Sequence, residues 1–329
     1  MKRHKITIKD FAEKLGVSTA TVSRALNDTG RISEKTRKFI KEKADELGFR
    51  ANIYASQFRT RQSNTIGFFY SVAGSSDPGY FISEIMSGVS DEAVKAGKIL
   101  QIYPFKENGD SMRFFKDSIL NGSLSGIIVV TGSKAAAELV QSARDSGVPF
   151  MAVGSIKGAA ENCVIFDNEN GARLAGKYFL NTGRKKPVYV EGYLDAKKKK
   201  GFQEGLKTLA DELVFDEGGC SFNQGYQAFE RIYAKRPETD CALCANDVLA
   251  IGFIKAAMAK GLKVPRDIAV IGFDDVKISR FYSPALTTVA LNQHEAGRRA
   301  FRKLMILIAG EKKMANEIMA SDLILRDSA

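Results

Sequence analysis

The chain has 329 residues, 44% of them apolar, and a formal net charge of +11 at pH 7. That length exceeds one ordinary core and suits a small head joined to one or two α/β lobes, and no run of 18 apolar residues offers a membrane-spanning helix. Four cysteines are too sparse for a disulfide scaffold, and the start, Met1-Lys2-Arg3-His4-Lys5-Ile6, is basic without the apolar core of a signal peptide, so the expectation is a cytoplasmic protein.

Thr7 followed three residues later by Asp10 is a capping-box pattern, and Ile8, Phe11, Ala12 and Leu15 then recur at helical spacing. Gly16 stops this helix, Val17 fills the turn, and Ser18 caps a second helix whose inner positions are Val22, Ala25 and Leu26. Thr19, Ala20, Ser23, Arg24 and Asn27 point the other way, at the end that would enter a major groove. Two capped helices around a glycine turn also occur in domains that never meet DNA, so charge tilts the balance. Through Thr65 there are 15 Lys and Arg against 7 Asp and Glu, a net of +8, which leaves +3 for all the rest. Cationic side chains gain free energy by releasing counterions from phosphates, and a generic surface needs no such concentration. Ser33 then caps a third helix over about 34–47, with Phe39, Ile40, Ala44 and Leu47 as its inner stripe and Gly48 ending it. Residues 52–62 follow with Ile53, Ala55, Phe58, Arg59 and Arg61, too little apolar surface to fold alone.

From Thr65 short apolar runs alternate with helical stretches. Runs at 65–70, 99–103, 126–130 and 150–153 read as buried strands, with helices near 82–96, 111–120 and 135–146. A second series begins at 164–166 and continues through 188–191, 241–244 and 268–272, with helices near 171–181, 226–234 and 248–260. Two Rossmann-like lobes are the economical solution. In such sheets ligands lie beyond the carboxyl ends of the strands, which makes Asn246, after 241–244, and Asp274, after 269–272, candidates for a polar ligand. A helix cap and a turn carboxylate are the structural alternatives for the same two residues.

The run 7–12, Gly-Val-Ser-Thr-Ala-Thr-Val-Ser-Arg-Ala-Leu-Asn at 16–27, and Phe49 through Gly67 resemble the head and hinge of the LacI/GalR family of bacterial repressors. The likeness continues through Ala245-Asn246-Asp247, the run from Val264-Pro265 to Gly272-Phe273-Asp274-Asp275, and Ser283-Pro284 to Val289. The resemblance implies a helix-turn-helix head at 1–50, a hinge at 51–64, and a periplasmic-binding-protein-like sensor at 65–329. Lobe 1 would take about 65–160 and 290–320, lobe 2 about 161–289, with three crossings and the helix at 295–308 returned to lobe 1. It implies a homodimer on a pseudo-palindromic double-stranded operator, repressing carbohydrate-utilisation genes under a small sugar or sugar-phosphate effector, with no cofactor and no membrane partner.

By the same resemblance Thr7, Ser18, Thr19, Ala20, Thr21, Ser23, Arg24 and Asn27 face the operator, with Arg24 on a guanine edge. Phe58 and Arg59 act in the minor groove. Phe58 stands where the family commonly has a leucine wedge and Ala51 where a proline precedes the hinge. Phenylalanine is an accepted wedge, and losing the proline loosens the unbound linker. Tyr80 and Phe81 align with an aromatic pair that covers a ligand ring, unless they are core aromatics. Asn246 and Asp274 match effector contacts. Lys198 replaces an arginine three residues before Gly201-Phe202, and Gly154 replaces an aspartate, so the sugar grip is incomplete. The run Lys197 to Lys200 at a helix start opposes the macrodipole, an arrangement an anionic effector would relieve. The chain ends at Arg326-Asp327-Ser328-Ala329 without a leucine heptad, which favours a dimer over a tetramer.

Cys241-Ala-Leu-Cys244 is a single CxxC on an apolar run, and His4 and His294 are not spaced as partners, so buried thiols are expected rather than a metal site. No P-loop, nucleophile elbow, HExxH or full dinucleotide fingerprint is present, so the expectation is no enzyme. A solute-binding protein or a sugar-processing enzyme on the same lobes is the rival, and it would call for a secretion signal or a nucleophile and base.

Overall fold

The structure is a computed structural model that describes residues 6–26, 30–49, 63–72, 79–105, 111–120, 122–130, 133–156, 158–192, 196–207, 213–216 and 218–329. The chain divides into two units between Ser63 and Asn64.

The first unit holds α1 (Ile8–Lys14), α2 (Thr19–Leu26) and α3 (Glu34–Glu46). Their starts are where the capping residues put them. Thr7 and Asp10 form a full capping box, Ser18 Oγ accepts from Thr21 N at 3.0 Å, and Ser33 Oγ accepts from Thr36 N at 3.1 Å. Phe11, Ala12, Val22, Ala25, Ile40, Ala44 and Phe49 make the small core, with the Phe11 and Phe49 rings stacked 4.2 Å apart. Two residues of the expected inner stripe of α3 lie outside it: Phe39 is 43% exposed and Leu47 38%. Ile40 and Ala44 sit one above the other and take the inner face, whereas Phe39 is rotated about 100° from Ile40 and Leu47 is the C-cap.

The second unit contains two six-stranded sheets. In chain order it runs β1 (Thr65–Ser71), α4 (Gly79–Lys95), β2 (Ile99–Phe105), α5 (Ser111–Leu120), β3 (Gly126–Val130), α6 (Lys134–Asp145), β4 (Phe150–Val153) and β5 (Cys163–Phe166). Then follow α7 (Asn168–Asn181), β6 (Pro187–Glu191), α8 (Ala196–Leu206), β7 (Val214–Asp216), α9 (Phe222–Lys235), β8 (Cys241–Cys244), α10 (Asp247–Ala259) and β9 (Ala269–Asp274). After a 3-10 turn at Lys277–Arg280 come β10 (Thr287–Ala290), α11 (Gln293–Ile308), β11 (Glu317–Met319) and β12 (Asp322–Ile324).

The first sheet has the order β11-β5-β4-β3-β1-β2 and the second β12-β10-β9-β8-β6-β7. All neighbours pair in parallel except β10 and β12. One expectation is overturned here. The run 164–166 does not open the second lobe; β5 closes onto β4 through Ala152↔Cys163 and Val153↔Val164, and Gly154 N donates to Val164 O at 2.9 Å. No helix separates the two strands, and that break in the strand–helix alternation mimics a lobe boundary. The chain crosses between sheets after β5, after β10 and after β11, and α11 packs on α4 in the first lobe.

Helices lie close enough in three pairs to require glycine. A Cβ on Gly88 of α4 would stand 1.9 Å from the His294 carbonyl oxygen of α11, and one on Gly201 of α8 would stand 2.0 Å from the Glu169 oxygen of α7. Gly225 of α9 meets Leu249 of α10 in the same way. The sheets themselves are buried on both faces, as β3, β4 and β8 show with every residue inside.

Candidate DNA-reading face and effector cleft

On the first unit, Thr19, Ala20 and Arg24 are exposed while Thr21 and Ser23 are half-buried. They project from α2 on the side away from Val22 and Ala25, which are buried against α1 and α3. Three of the expected contact residues are also engaged locally. Thr7 Oγ1 and Asp10 Oδ2 lie 2.8 Å apart, and Ser18 Oγ and Thr21 Oγ1 lie 2.9 Å apart. Those hydroxyls fix the starts of α1 and α2 and thereby aim Thr19, Ala20 and Arg24. Arg37 reaches the Arg24 carbonyl at 3.3 Å, tying α3 to α2. Asn27, Ala51, Phe58 and Arg59 lie outside the described residues.

On the second unit, the carboxyl ends of β8 and β9 gather Lys198, Asn246 and Asp274. Lys198 Nζ donates to the Ala245 carbonyl at 2.8 Å and sits 4.0 Å above the centre of the Phe273 ring, a cation–π contact that holds it between the two strand ends. Asn246 Oδ1 accepts from Leu249 N at 2.8 Å, so the residue caps α10. Asp274 closes β9 with φ +110, and Asp275 follows with φ +51. Two consecutive non-glycine residues in the left-handed region are costly and persist only where neighbours over-determine them.

Gln293, Arg326 and Asp247 surround this turn. The Asp274 carbonyl accepts from Gln293 Nε2 at 2.5 Å, the Asp275 carboxylate pairs with Arg326 at 2.5 Å, and Arg326 also donates to Leu286 O at 2.7 Å. Beneath them Asp247, fully buried, accepts from Val276 N at 2.8 Å and Ser279 Oγ at 2.6 Å, and meets Thr288 Oγ1 at 2.5 Å. Burial, then the charge of Asp274, pushes the Asp247 carboxyl up to about 8, so it keeps its proton at neutral pH.

One element of the first lobe, α4, approaches the turn after β9, through the Glu84–Lys277 pair. Tyr80 lies 37% exposed in the first turn of α4. Phe81 is half-buried, its ring edge against Phe166 at 5.6 Å, so part of it is spent on the core. Lys277 Nζ pairs with Glu84 across the lobes at 2.8 Å. Gly154 has φ +101, a backbone that an aspartate side chain would strain, so its presence follows from the turn after β4.

Of the lysine run, Lys200 bridges Glu169 at 2.7 Å and Glu204 at 3.6 Å, and the first of these contacts holds its ammonium above the ordinary range. Those carboxylates offset the charge of Lys200 within the helix start. Cys241 and Cys244 are buried in β8, and desolvation pushes both thiols well up. Among the described residues no group of three or more His, Cys, Asp or Glu side chains could hold a metal ion, and no helix is long and apolar enough to cross a membrane.

Residues 7–52 match the family described as bacterial regulatory proteins, lacI family, and residues 158–329 match a periplasmic binding protein-like domain. A probable transcriptional repressor ExuR of Bacillus subtilis is 30% identical over 98% of each chain. The chain belongs to the LacI family of bacterial regulatory proteins. Other LacI-family relatives include the repressor PurR of Erwinia tasmaniensis, 29% identical over 95% of this chain and 93% of that one. The lac repressor dimer bound to operator and the anti-inducer ONPF superposes with a TM-score of 0.86, at 25% identity over 99% of each chain.

Sequence reasoning reached Lys198, Asn246 and Asp274 and missed Asp247, Gln293, Arg326 and Ser71. Ser71 ends β1, buried, and its hydroxyl has no hydrogen-bond partner among the described residues. The strand-end rule that found Asp274 also points to Ser71. Asp247 adjoins Asn246 in sequence, whereas nothing local marks Gln293 or Arg326.

Proposed function

We propose that this LacI-family regulator is a cytoplasmic, homodimeric repressor of carbohydrate-utilisation genes, released from or delivered to its operator by a sugar or sugar phosphate held at the lobe junction. The observation that carries the DNA half is the exposed Thr19, Ala20 and Arg24 face of α2, set on a unit that holds most of the chain's basic excess. Arg24 would take a guanine edge, Thr19 and Ala20 neighbouring bases, and Thr7, Ser18, Thr21 and Ser23 the backbone around them. Phe58 and Arg59 in the hinge segment 51–64 would open the central step from the minor groove.

The effector half rests on Lys198, Asn246 and Asp274 at adjoining strand ends, with Tyr80 and Phe81 on the opposite lobe. A carboxylate, an amide and an ammonium suit hydroxyl-rich ligands, with or without a phosphate. Apolar side chains that stay exposed support the homodimer: Val94, Ile99 and Ile102 on the first lobe, Phe222, Met258 and Phe281 on the second. Closure of the lobes by ligand would alter how two protomers present their heads, and that differential pose is the coupling.

Selection of duplexes from a random pool by the full-length protein, at stated salt, tests the reading. A short two-fold-symmetric site, lost in Arg24→Ala and in Phe58→Ala, is expected. Recovery of no symmetric site, with and without cellobiose, glucose 6-phosphate and glucuronate, would overturn it.

A further inference from the structure

Three of the polar contacts around the second lobe's strand ends converge on one residue that contacts no solvent. Asp247 is fully buried at the first turn of α10. Its two oxygens meet a backbone N–H of Val276, the hydroxyl of Ser279 in the 3-10 turn, and the hydroxyl of Thr288 in β10. A Cβ on Gly272 would come within 2.2 Å of Asp247 Oδ1, so β9 itself is shaped to let the carboxyl in. The turn between these anchors is the one that places Asp274 and Asp275 at positive φ.

We propose that Asp247 is the positioning residue of the effector site, locking the Asp274 turn in its left-handed conformation from below. Arg326 and Gln293 lock it from the sides. This inference rests on the reading of Asp274 as an effector contact. Asp247 is also joined to Asn246, the cap of the same helix, so one buried side chain sets both the amide and the carboxylate of the candidate grip.

A buried carboxyl with three anchoring partners is expensive to keep unless it does something that an apolar residue cannot. Leucine at 247 would leave the Val276 N–H and the Ser279 hydroxyl without their acceptor and the Thr288 hydroxyl without its partner, and the left-handed pair would lose its support from α10. Asp274 on β9 and Cys244 on β8 are the titratable groups that interact with it, and Lys198 on α8 and the Asp275, Arg280 and Arg326 cluster carry the charges of the adjoining strand ends and turn. The proton that Asp247 retains keeps it from adding a second negative charge beside Asp274.

The test uses full-length protein and two independent readouts. The first is amide hydrogen exchange across 272–281 without any ligand. Asp247→Ala is expected to raise exchange there by about tenfold or more, as loss of a buried hydrogen bond requires, with little change in α9 and β6. Asp247→Asn, which mimics the protonated acid, is expected to keep the protection. Equal protection in Asp247→Ala and wild type, or a uniform rise through the whole second lobe, would overturn the proposal. If Asp247→Ala does not fold, Ser279→Ala removes one anchor and carries the same expectation and the same refutation.

The second readout is release or capture of the selected operator by cellobiose, glucose 6-phosphate and glucuronate, with Asp274→Asn as the reference. Asp247→Ala is expected to lose the response that Asp274→Asn loses, and Asp247→Asn to retain it and to hold it above pH 8, where the wild type weakens. Retention of the response by Asp274→Asn would sink the effector reading while leaving the exchange result to decide the role of Asp247.

Discussion

Gly201→Ala joins the packing of the second lobe to its ligand chemistry. The new Cβ would lie 2.0 Å from the Glu169 carbonyl oxygen on α7, where ordinary contact begins near 3.4 Å, so α8 has to retreat by about 1.4 Å. The obstacle is helix backbone and cannot swing away. Lys198 lies one turn earlier on the same helix, and its 2.8 Å bond to Ala245 O cannot survive a shift of that size. Overpacking of this kind costs about 3 kcal/mol, or roughly 6–12 °C in Tm for a unit of this size. Gly183→Ala is the control. That position has φ +78 and open space around it, so only backbone strain of about 1 kcal/mol is expected. Calorimetry should place Gly201→Ala well below Gly183→Ala, and operator release by an active sugar should fail in the first variant alone. Lys198→Met should reproduce the lost response with little loss of Tm. Equal melting of the two glycine variants, with the response intact in both, would refute the link between the α7–α8 contact and the ligand site.

Three further outcomes follow from the same geometry. Arg24→Ala, at an exposed position, should leave melting unchanged while removing about 1–3 kcal/mol of discrimination at one base pair of the selected operator, read by competition binding. Lys277→Met should shift the effector midpoint by no more than about 1 kcal/mol, and the difference should vanish at high salt, because Lys277 is 76% exposed in its bridge to Glu84. Asp247 should give stability a downward slope with pH. Its folded value, about 8, lies above the ordinary 3.8, so the folded chain holds a proton the unfolded chain has released. The contribution is complete below pH 3.8, is lost as pH rises, and is gone above about 8; Asp247→Asn should flatten that part of a Tm-against-pH curve.

The elements that sequence reads well here have local causes. Thr7 with Asp10, Ser18 and Ser33 announce their helices because a side-chain oxygen three residues before an N–H is a purely local arrangement. The same logic was available at Ser221 and Gln224, whose capping box starts α9 four residues before the expected position. Strands β7, β11 and β12 were not legible, since three residues carry no periodicity and their pairing is decided by distant partners. The sheet membership of β5 is the instructive error. Strand–helix alternation describes the usual crossover between parallel strands, and β4 reaches its parallel neighbour β5 through a crossover with no helix among its described residues, so a non-local fact was inferred from a local gap.

The candidate effector cleft divides along the same line. Asp274 and Asn246 follow from a rule about strand ends, whereas the groups that hold them come from far along the chain. Gln293 opens α11 just after the second crossing and binds the Asp274 carbonyl; Arg326 follows the third crossing and binds Asp275. A turn held only by β9 could move without consequence for the rest of the molecule. This turn is bonded to Gln293, beside the second connection between the lobes, and to Arg326, beyond β12, so on the proposed reading a ligand that displaces Asp274 would load both contacts. On that reading coupling requires no long pathway: the residue that would feel the effector shares a hydrogen bond with Gln293, at the start of the helix that follows the second connection.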